Sequence, residues 1–217
     1  MIDIVRELEA TTREVGSGRI AAGEGRAVRL RRTYDAPIQE VWDAVTSPER
    51  IGRWFLPISG DFRIGGRYQL EGNAGGEIVA CERPHRLRVT WVYGEVTSST
   101  DVSELELRLT SAGEDATTLE LEHTAIVPED AWAMFGPGAV GVGWDGGLLG
   151  LSLYLRTGST LEDPIAWQMS EEGRRFNTLA SVAWGAANEA AGADPEAAAS
   201  AVANTAAFYA PEPDGPS

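Results

Sequence analysis

Two ionisable side chains occupy positions where a group that transfers protons would be useful. His123 alternates with Leu119 and Leu121 in a predicted strand, so the three side chains share one face of a sheet. Asp145 is the only charged residue in the otherwise apolar stretch 131–155. If these faces enclose a cavity, each side chain is a candidate acid or base. The pattern favours a structural explanation for both. For His123 it is a neutral ring bonded to the backbone or to a hydroxyl, and for Asp145 it is either an arginine partner from the sheet or exposure on one face of the helix.

Few other side chains suggest catalysis or metal binding. The chain has two histidines, one cysteine and no lysine. His85 lies in a predicted turn beside Pro84, and Cys81 lies in a predicted strand with no base close to it in sequence. No spacing of these residues is typical of a metal site, and the lack of lysine excludes Schiff-base chemistry and a P-loop. We expect no metal and no cofactor.

One short segment matches a nucleotide-binding motif by letter alone. Residues 136–141 read Gly-Pro-Gly-Ala-Val-Gly, which fits the dinucleotide pattern G-x-G-x-x-G. That pattern requires a buried strand before it and a βαβ unit around it, whereas residues 128–134 read as a polar or helical connector. We therefore interpret the segment as a hinged loop at a cavity mouth.

The charge distribution disfavours nucleic acids and membranes as partners. The net charge is −15, and residues 94–217 hold 4 arginines against 20 acidic residues. Such a surface repels phosphate groups, so we expect no nucleic-acid binding and no docking on a membrane. The single cysteine cannot form an internal disulfide, and the first residues lack the apolar run of an export signal, which makes a cytoplasmic location the expectation.

The elements that position His123 and Asp145 can be predicted from periodicity. From residue 61 onward, short alternating segments separated by Gly and Pro turns predict a series of antiparallel strands with one apolar face. The stretch 139–156 predicts a long helix that is apolar almost all round, and therefore buried. Its five glycines indicate either close backbone approach or a space left open beside the helix. The fold class predicted is α+β, a curved antiparallel sheet wrapped around one long helix.

The order of motifs between residues 30 and 91 carries a family resemblance. The motifs are Arg31–Pro37, Val41–Val45, Arg53–Pro57, Gly65–Tyr68, Gly76, Pro84–Leu87 and Trp91. This series resembles the START-like (SRPBCC) superfamily, in the branch named after the C-terminal domain of the Hsp90 ATPase activator. The resemblance covers roughly residues 27–157 and implies the helix-grip fold, which is also called Bet v 1-like.

The segments outside 27–157 depart from that family pattern. Residues 1–26 have weak periodicity and predict a loose arm or a short hairpin. Residues 158–210 predict a helical extension, because Asp163-Pro164 and Asp194-Pro195 are typical helix starts. These alanine-rich helices cannot form a core of their own, so we expect them to pack on the main domain or on a partner subunit in a homodimer. Residues 211–217 predict a frayed tail.

The sequence is compatible with three functions. The first is a protein that binds a small hydrophobic or aromatic ligand in an internal cavity. The second, implied by the resemblance, is an enzyme similar to polyketide cyclases or dehydratases that uses His123 or Asp145. The third is a co-chaperone, which is disfavoured because residues 1–26 are too short for the separate N-terminal domain on which that family's effect also depends. The residues predicted to line the cavity are Trp54, Phe55, Tyr68, Leu70, Trp91, Leu121, His123, Trp144 and Leu148.

Overall fold

A computed structural model describes residues 2–98 and 101–211. Most of the predicted tail 211–217 lies outside the described residues. The described chain forms one antiparallel sheet of eight strands in the order β1-β2-β8-β7-β6-β5-β4-β3. The strands are β1 Thr11–Ile20, β2 Gly23–Tyr34, β3 Ile58–Gly60, β4 Arg67–Leu70, β5 Gly75–Glu82, β6 Arg86–Val92, β7 Val102–Ser111 and β8 Thr117–Ala125.

Helices precede, interrupt and follow this sheet. They are α1 Ile4–Glu9, α2 Ile38–Thr46, α3 Pro48–Trp54, α4 Glu129–Phe135, α5 Gly138–Thr157, α6 Pro164–Met169, α7 Glu171–Ala190 and α8 Pro195–Tyr209. The curved sheet around α5 is the helix-grip fold, so the predicted fold class is confirmed. Among the described residues, no helix combines the length and the apolarity needed to cross a membrane.

The N-terminal segment belongs to the sheet and is not a loose arm. Strand β1 pairs with β2 along its full length, from Thr11 opposite Arg32 to Ile20 opposite Gly23. Helix α1 precedes β1 and buries Ile4 and Leu8 in the core. The periodicity of β1 is weak because it is an edge strand in which polar residues alternate with glycines. Of the two alternatives, the structure therefore has a hairpin, and a much longer one than the sequence predicted.

The outer face of the sheet is covered by ion pairs between neighbouring strands. Arg108 on β7 pairs with Glu120 on β8, and Arg86 on β6 pairs with Glu106 on β7. Arg108 and Glu120 lie directly opposite each other, and opposite charges in that position stabilise the register. Arg86 lies opposite Arg108 and reaches Glu106 diagonally. The apolar positions of the same strands consequently face inward, toward α5.

Glycines of α5 allow close contact on one side of the helix. A Cβ at Gly141 would lie 2.2 Å from the Trp184 ring of α7, and a Cβ at Gly138 would lie 2.8 Å from Thr205 of α8. At Gly147, by contrast, the nearest atom to an added Cβ is 3.8 Å away, on Phe55. Both explanations of the glycines, close approach and open space, therefore apply to the same helix at different positions.

The C-terminal helices pack on the helix-grip core. Asp163 and Asp194 act as N-caps, accepting from Ala166 N and from Glu196 N and Ala197 N. Helix α7 contacts α5 and β1, and Trp184, with no exposed surface, fills the contact. The buried face of α7 contains Phe176, Ala180, Trp184 and Ala187, whereas Leu179 and Ala183 are partly exposed.

Candidate functional site

A cavity of about 440 Å³ lies between the inner face of the sheet and helix α5. This volume falls in the range that small-molecule sites occupy. Apolar side chains form nearly all of its wall. The lining residues are Val45, Thr46, Ile51, Trp54, Phe55, Ile58, Phe62, Arg63, Ile64, Tyr68, Leu70, Ile78, Cys81, Leu87, Val89, Trp91, Leu105, Leu107, Leu119, Leu121, Trp144, Gly147, Leu148 and Leu151.

The structure brings eight of the nine predicted site residues to this wall. They are Trp54, Phe55, Tyr68, Leu70, Trp91, Leu121, Trp144 and Leu148. Their rings form a continuous group, because the centroid of Phe55 is 5.5 Å from that of Trp54 and 6.3 Å from that of Trp144, which in turn is 5.0 Å from that of Trp91. The ninth residue, His123, is absent from the wall. Binding of a ligand by these residues stays a prediction.

His123 is buried behind two cavity-lining tryptophans. Its Nδ1 accepts a hydrogen bond from Trp144 Nε1 at 3.0 Å, and its Nε2 is 2.7 Å from Ser103 Oγ. Because Nδ1 is the acceptor, the proton of the neutral ring lies on Nε2, which donates to Ser103. Ser103 Oγ in turn donates to the carbonyl of Trp91 at 2.7 Å. The histidine thus connects the side chain of one wall tryptophan to the backbone of the other.

Burial keeps this imidazole neutral. It lowers the pKa of His123 to about 4, because the charged form would lose its hydration. At neutral pH the ring has both nitrogens engaged, and it contacts Trp91 and Trp144 edge-on. This arrangement fits the structural explanation that the sequence favoured, in which a hydroxyl satisfies a buried histidine.

Asp145 is held on the side of α5 away from the cavity wall. Both carboxylate oxygens accept from Arg13 of β1, Oδ2 from Nε at 3.0 Å and Oδ1 from Nη2 at 2.8 Å. Oδ2 also accepts from the Trp184 indole at 2.9 Å. Burial raises the pKa of Asp145, while Arg13 and Trp184 oppose that rise. Of the two structural explanations for Asp145, the arginine partner is the one present, and it lies on β1, in the segment for which the sequence predicted a loose arm or a short hairpin.

A second buried ion group fixes the C-terminal half of α5. Arg32 of β2 donates to Glu7 of α1 and to Ser152 Oγ of α5, and Arg156 also pairs with Glu7. Burial acts to raise the pKa of Glu7, but Arg32 and Arg156 outweigh it and the pKa is lowered. The N-terminal helix and hairpin therefore hold α5 at a fixed distance from the sheet.

The mouth of the cavity was missed by sequence reasoning. Phe62, Arg63 and Ile64, in the loop between β3 and β4, line the cavity while Phe62 is 43% and Ile64 60% exposed. Arg63 pairs with Asp61 through Nε at 2.7 Å. A loop has no periodicity that would mark its inward side chains. The signal in the sequence was the presence of two large apolar residues, Phe62 and Ile64, in a segment between predicted strands.

The segment 136–141 is not the cavity mouth. Gly136 ends α4 with a φ of 55°, and α5 begins at Gly138. The segment lies against α7 and α8, next to Thr205 and Trp184, and it does not line the cavity. The interpretation as a gating loop was wrong, because the C-terminal helices cover this end of α5. No strand directly precedes the segment, as expected for a motif matched by letter alone.

Comparison with known proteins identifies the family. The family model described as Activator of Hsp90 ATPase homolog 1-like protein matches residues 35–155, more than half of the chain. The crystal structure of CalU16 from Micromonospora echinospora is 39% identical, with a TM-score of 0.67, and the match covers 83% of this chain and 99% of that chain. The chain belongs to the Hsp90 ATPase activator homolog 1-like family. The solution structure of CalU16 agrees, at 40% identity, a TM-score of 0.69, and coverage of 83% of this chain and 96% of that chain.

Less similar structures show how far the likeness extends. DynU16, a protein of the dynemicin biosynthetic locus, is 28% identical with a TM-score of 0.51, and the match covers 62% of this chain and 48% of that chain. An HSP90 activator from Plasmodium falciparum is 22% identical with a TM-score of 0.51, over 61% of this chain and 96% of that chain, and shows the fold alone. No curated protein matches the chain. The predicted START-like resemblance is confirmed.

Proposed function

We propose that this protein binds a small, uncharged, apolar or aromatic molecule in the cavity between α5 and the sheet. The observation that carries the proposal is the cavity of about 440 Å³ with a nearly continuous apolar and aromatic wall. An empty apolar space of this size forfeits packing contacts that a ligand would supply. DynU16 comes from a biosynthetic locus, which favours a small organic molecule as the ligand.

The charge of the ligand follows from the wall. Among the described lining residues, Arg63 is the one charged side chain, and it lies at the mouth, 75% exposed and paired with Asp61. A charged group transferred into the interior would lose its hydration without gaining a counter-ion, at a cost of several kcal/mol. The ligand therefore enters uncharged. The cytoplasmic location of the protein stays a prediction from the sequence.

A substitution at Gly147 tests the proposal without removing a contact. In Gly147→Leu the new Cβ is in ordinary van der Waals contact with Phe55 and Trp144, at 3.8 and 3.9 Å, and the rest of the side chain extends into the cavity. We expect the affinity for the flat hydrocarbon fluorene, measured by calorimetric titration, to fall at least tenfold. Replacing a helical glycine adds up to about 1 kcal/mol of helix propensity, so the free energy of unfolding should not fall.

Gly146→Leu is the matched control. Gly146 is the neighbouring residue of the same helix, an added Cβ there meets nothing within 4 Å, and the residue does not line the cavity. The Gly146→Leu variant should gain the same helix propensity and leave the affinity for fluorene unchanged. Equal fluorene affinity in the two variants, or no fluorene binding to the unaltered protein, would contradict the proposal.

Neither alternative function gains support from the site. An enzyme using His123 or Asp145 would need one of them at the cavity, whereas His123 is behind Trp144 and Asp145 is bound to Arg13. The co-chaperone hypothesis rests on the family description, and the HSP90 activator similar to this chain shares the fold alone. Association with a chaperone and formation of a homodimer stay predictions.

A further inference from the structure

The indole N–H of Trp91 is a hydrogen-bond donor of the cavity wall for which the described residues supply no acceptor. The other polar aromatic side chains of the wall are committed: Trp54 Nε1 donates to Ala44 O at 2.9 Å, Tyr68 Oη to Thr90 O at 2.8 Å, and Trp144 Nε1 to His123 at 3.0 Å. Thr46 Oγ1 likewise donates to Trp42 O. In the part of the chain that the structure describes, Trp91 Nε1 donates to nothing. The remaining wall donors are the weak thiol of Cys81 and the exposed guanidinium of Arg63, which is paired with Asp61 through Nε.

The Trp91 nitrogen borders the cavity rather than packed atoms. The side chain is only 7% exposed and follows Leu87 and Val89 on the inward face of β6, all three lining the cavity. The enclosed polar side-chain atoms that lack a partner, among the described residues, belong to Arg32, Arg86, Arg88 and Glu106. The Trp91 nitrogen is not among them, as expected for a donor that faces the cavity lined by its ring.

We propose that the ligand carries a hydrogen-bond acceptor oxygen, such as a carbonyl, ether or phenol oxygen, which accepts from Trp91 Nε1. This inference rests on the proposed function and makes its ligand class more specific. A ligand that fills the cavity shields this donor from water, and a shielded donor without a partner is costly, so a ligand that supplies an acceptor is favoured over one of equal shape that does not. Trp91 is then the specificity-determining residue of an otherwise apolar wall. It selects uncharged flat molecules that place an oxygen within hydrogen-bond distance of its Nε1.

The test uses two probes that differ at one group. Fluorene and 9-fluorenone have the same flat three-ring frame, with a methylene in the first and a carbonyl in the second. In Trp91→Phe the aromatic wall is kept and the donor is lost. We expect this variant to weaken 9-fluorenone binding roughly fivefold to tenfold more than fluorene binding, the factor that one net hydrogen bond gives.

Trp54→Phe is the matched control. It also removes an indole N–H from a tryptophan of the cavity wall, but that N–H is committed to Ala44 O. It should alter the affinities for the two probes by the same factor. The contrast between the variants isolates the free donor from the general effect of replacing a wall tryptophan.

Nuclear magnetic resonance of the unaltered protein gives a readout that does not depend on a variant folding. The indole ¹H–¹⁵N signal of Trp91, assigned through its contacts to Trp144, should move downfield with 9-fluorenone and not with fluorene. If Trp91→Phe weakens both probes equally and the signal moves alike with both, the acceptor inference is overturned while cavity binding stands. If neither probe binds the unaltered protein, the proposed function is overturned as well.

Discussion

At the scale of single residues, His123 positions the cavity wall. It accepts a hydrogen bond from the Trp144 side chain and, through Ser103, is connected to the Trp91 backbone. Such a chain of bonds is stable only while the ring is neutral, since a protonated Nδ1 could no longer accept from Trp144. The fit of two wall tryptophans therefore depends on one protonation state.

His123→Asn should lower stability in a manner that depends on pH. At about pH 7.5 the loss should be about 1–3 kcal/mol, because the shorter amide cannot satisfy both Trp144 and Ser103. The pKa of His123 is lowered from 6.5 to about 4 in the folded protein, so its stabilising effect is complete above about 6.5 and is lost as pH falls toward 4. The stability gap between the two proteins should shrink by about 2 kcal/mol between about pH 7.5 and about pH 5.

Urea unfolding at several pH values measures this gap. Parallel pH dependences of the unaltered and variant proteins would show that the protonation of His123 is not coupled to folding, and the expected pH dependence would then be wrong. A loss of ligand affinity larger than the loss of stability would indicate that the ring acts on the wall beyond holding the fold together.

At the scale of elements, helix α5 separates two environments. Trp144 faces the cavity, while the next residue, Asp145, faces Arg13 of β1 and Trp184 of α7. Adjacent helical residues point about 100° apart, so the ion pair fixes the rotation of the helix that presents Trp144 and Gly147 to the ligand. The ion pair is thus a positioning contact for the wall.

Removing one partner of this buried pair should be costly. Asp145→Asn leaves the Arg13 guanidinium, 8% exposed, without its counter-charge, and should lower the free energy of unfolding by about 3–5 kcal/mol. Combining it with Arg13→Met removes the stranded charge, while the introduced amide oxygen can still accept from Trp184. The double variant should therefore be more stable than Asp145→Asn alone. Urea unfolding of all four proteins gives the coupling, and losses that simply add would contradict a direct pair.

The sequence predicted the elements in which apolar and polar residues alternate regularly. The alternation in β6, β7 and β8 identified the inward faces, and eight of the nine residues predicted for the site lie on the cavity wall. The sequence predicted a loose arm or a short hairpin rather than the full extent of strand β1, because an edge strand exposes most of its side chains and glycines weaken the alternation. The loop 61–66 was missed because a loop has no period, and no single-sequence signal shows that α7 and α8 would cover the N-terminal end of α5.

At the scale of the whole molecule, the cavity is enclosed by parts from distant regions of the chain. The sheet and α5 belong largely to the region that the family model matches, residues 35–155, whereas Arg13 and Trp184, which fix α5, lie outside it. The N-terminal hairpin and the C-terminal helices thus stabilise the family's core from the side opposite the cavity. The match to CalU16 covers 83% of this chain and so reaches beyond the region of the family model.

The location of bound fluorene in solution decides whether the cavity between α5 and the sheet is the ligand-binding site. Nuclear Overhauser contacts between fluorene protons and protein methyl groups report which side chains surround the probe. Binding in the cavity predicts contacts to Leu105, Leu121 and Leu148, which line it from β7, β8 and α5. Contacts confined to exposed apolar residues such as Val140 and Phe208, with none to these three leucines, would contradict binding in the cavity.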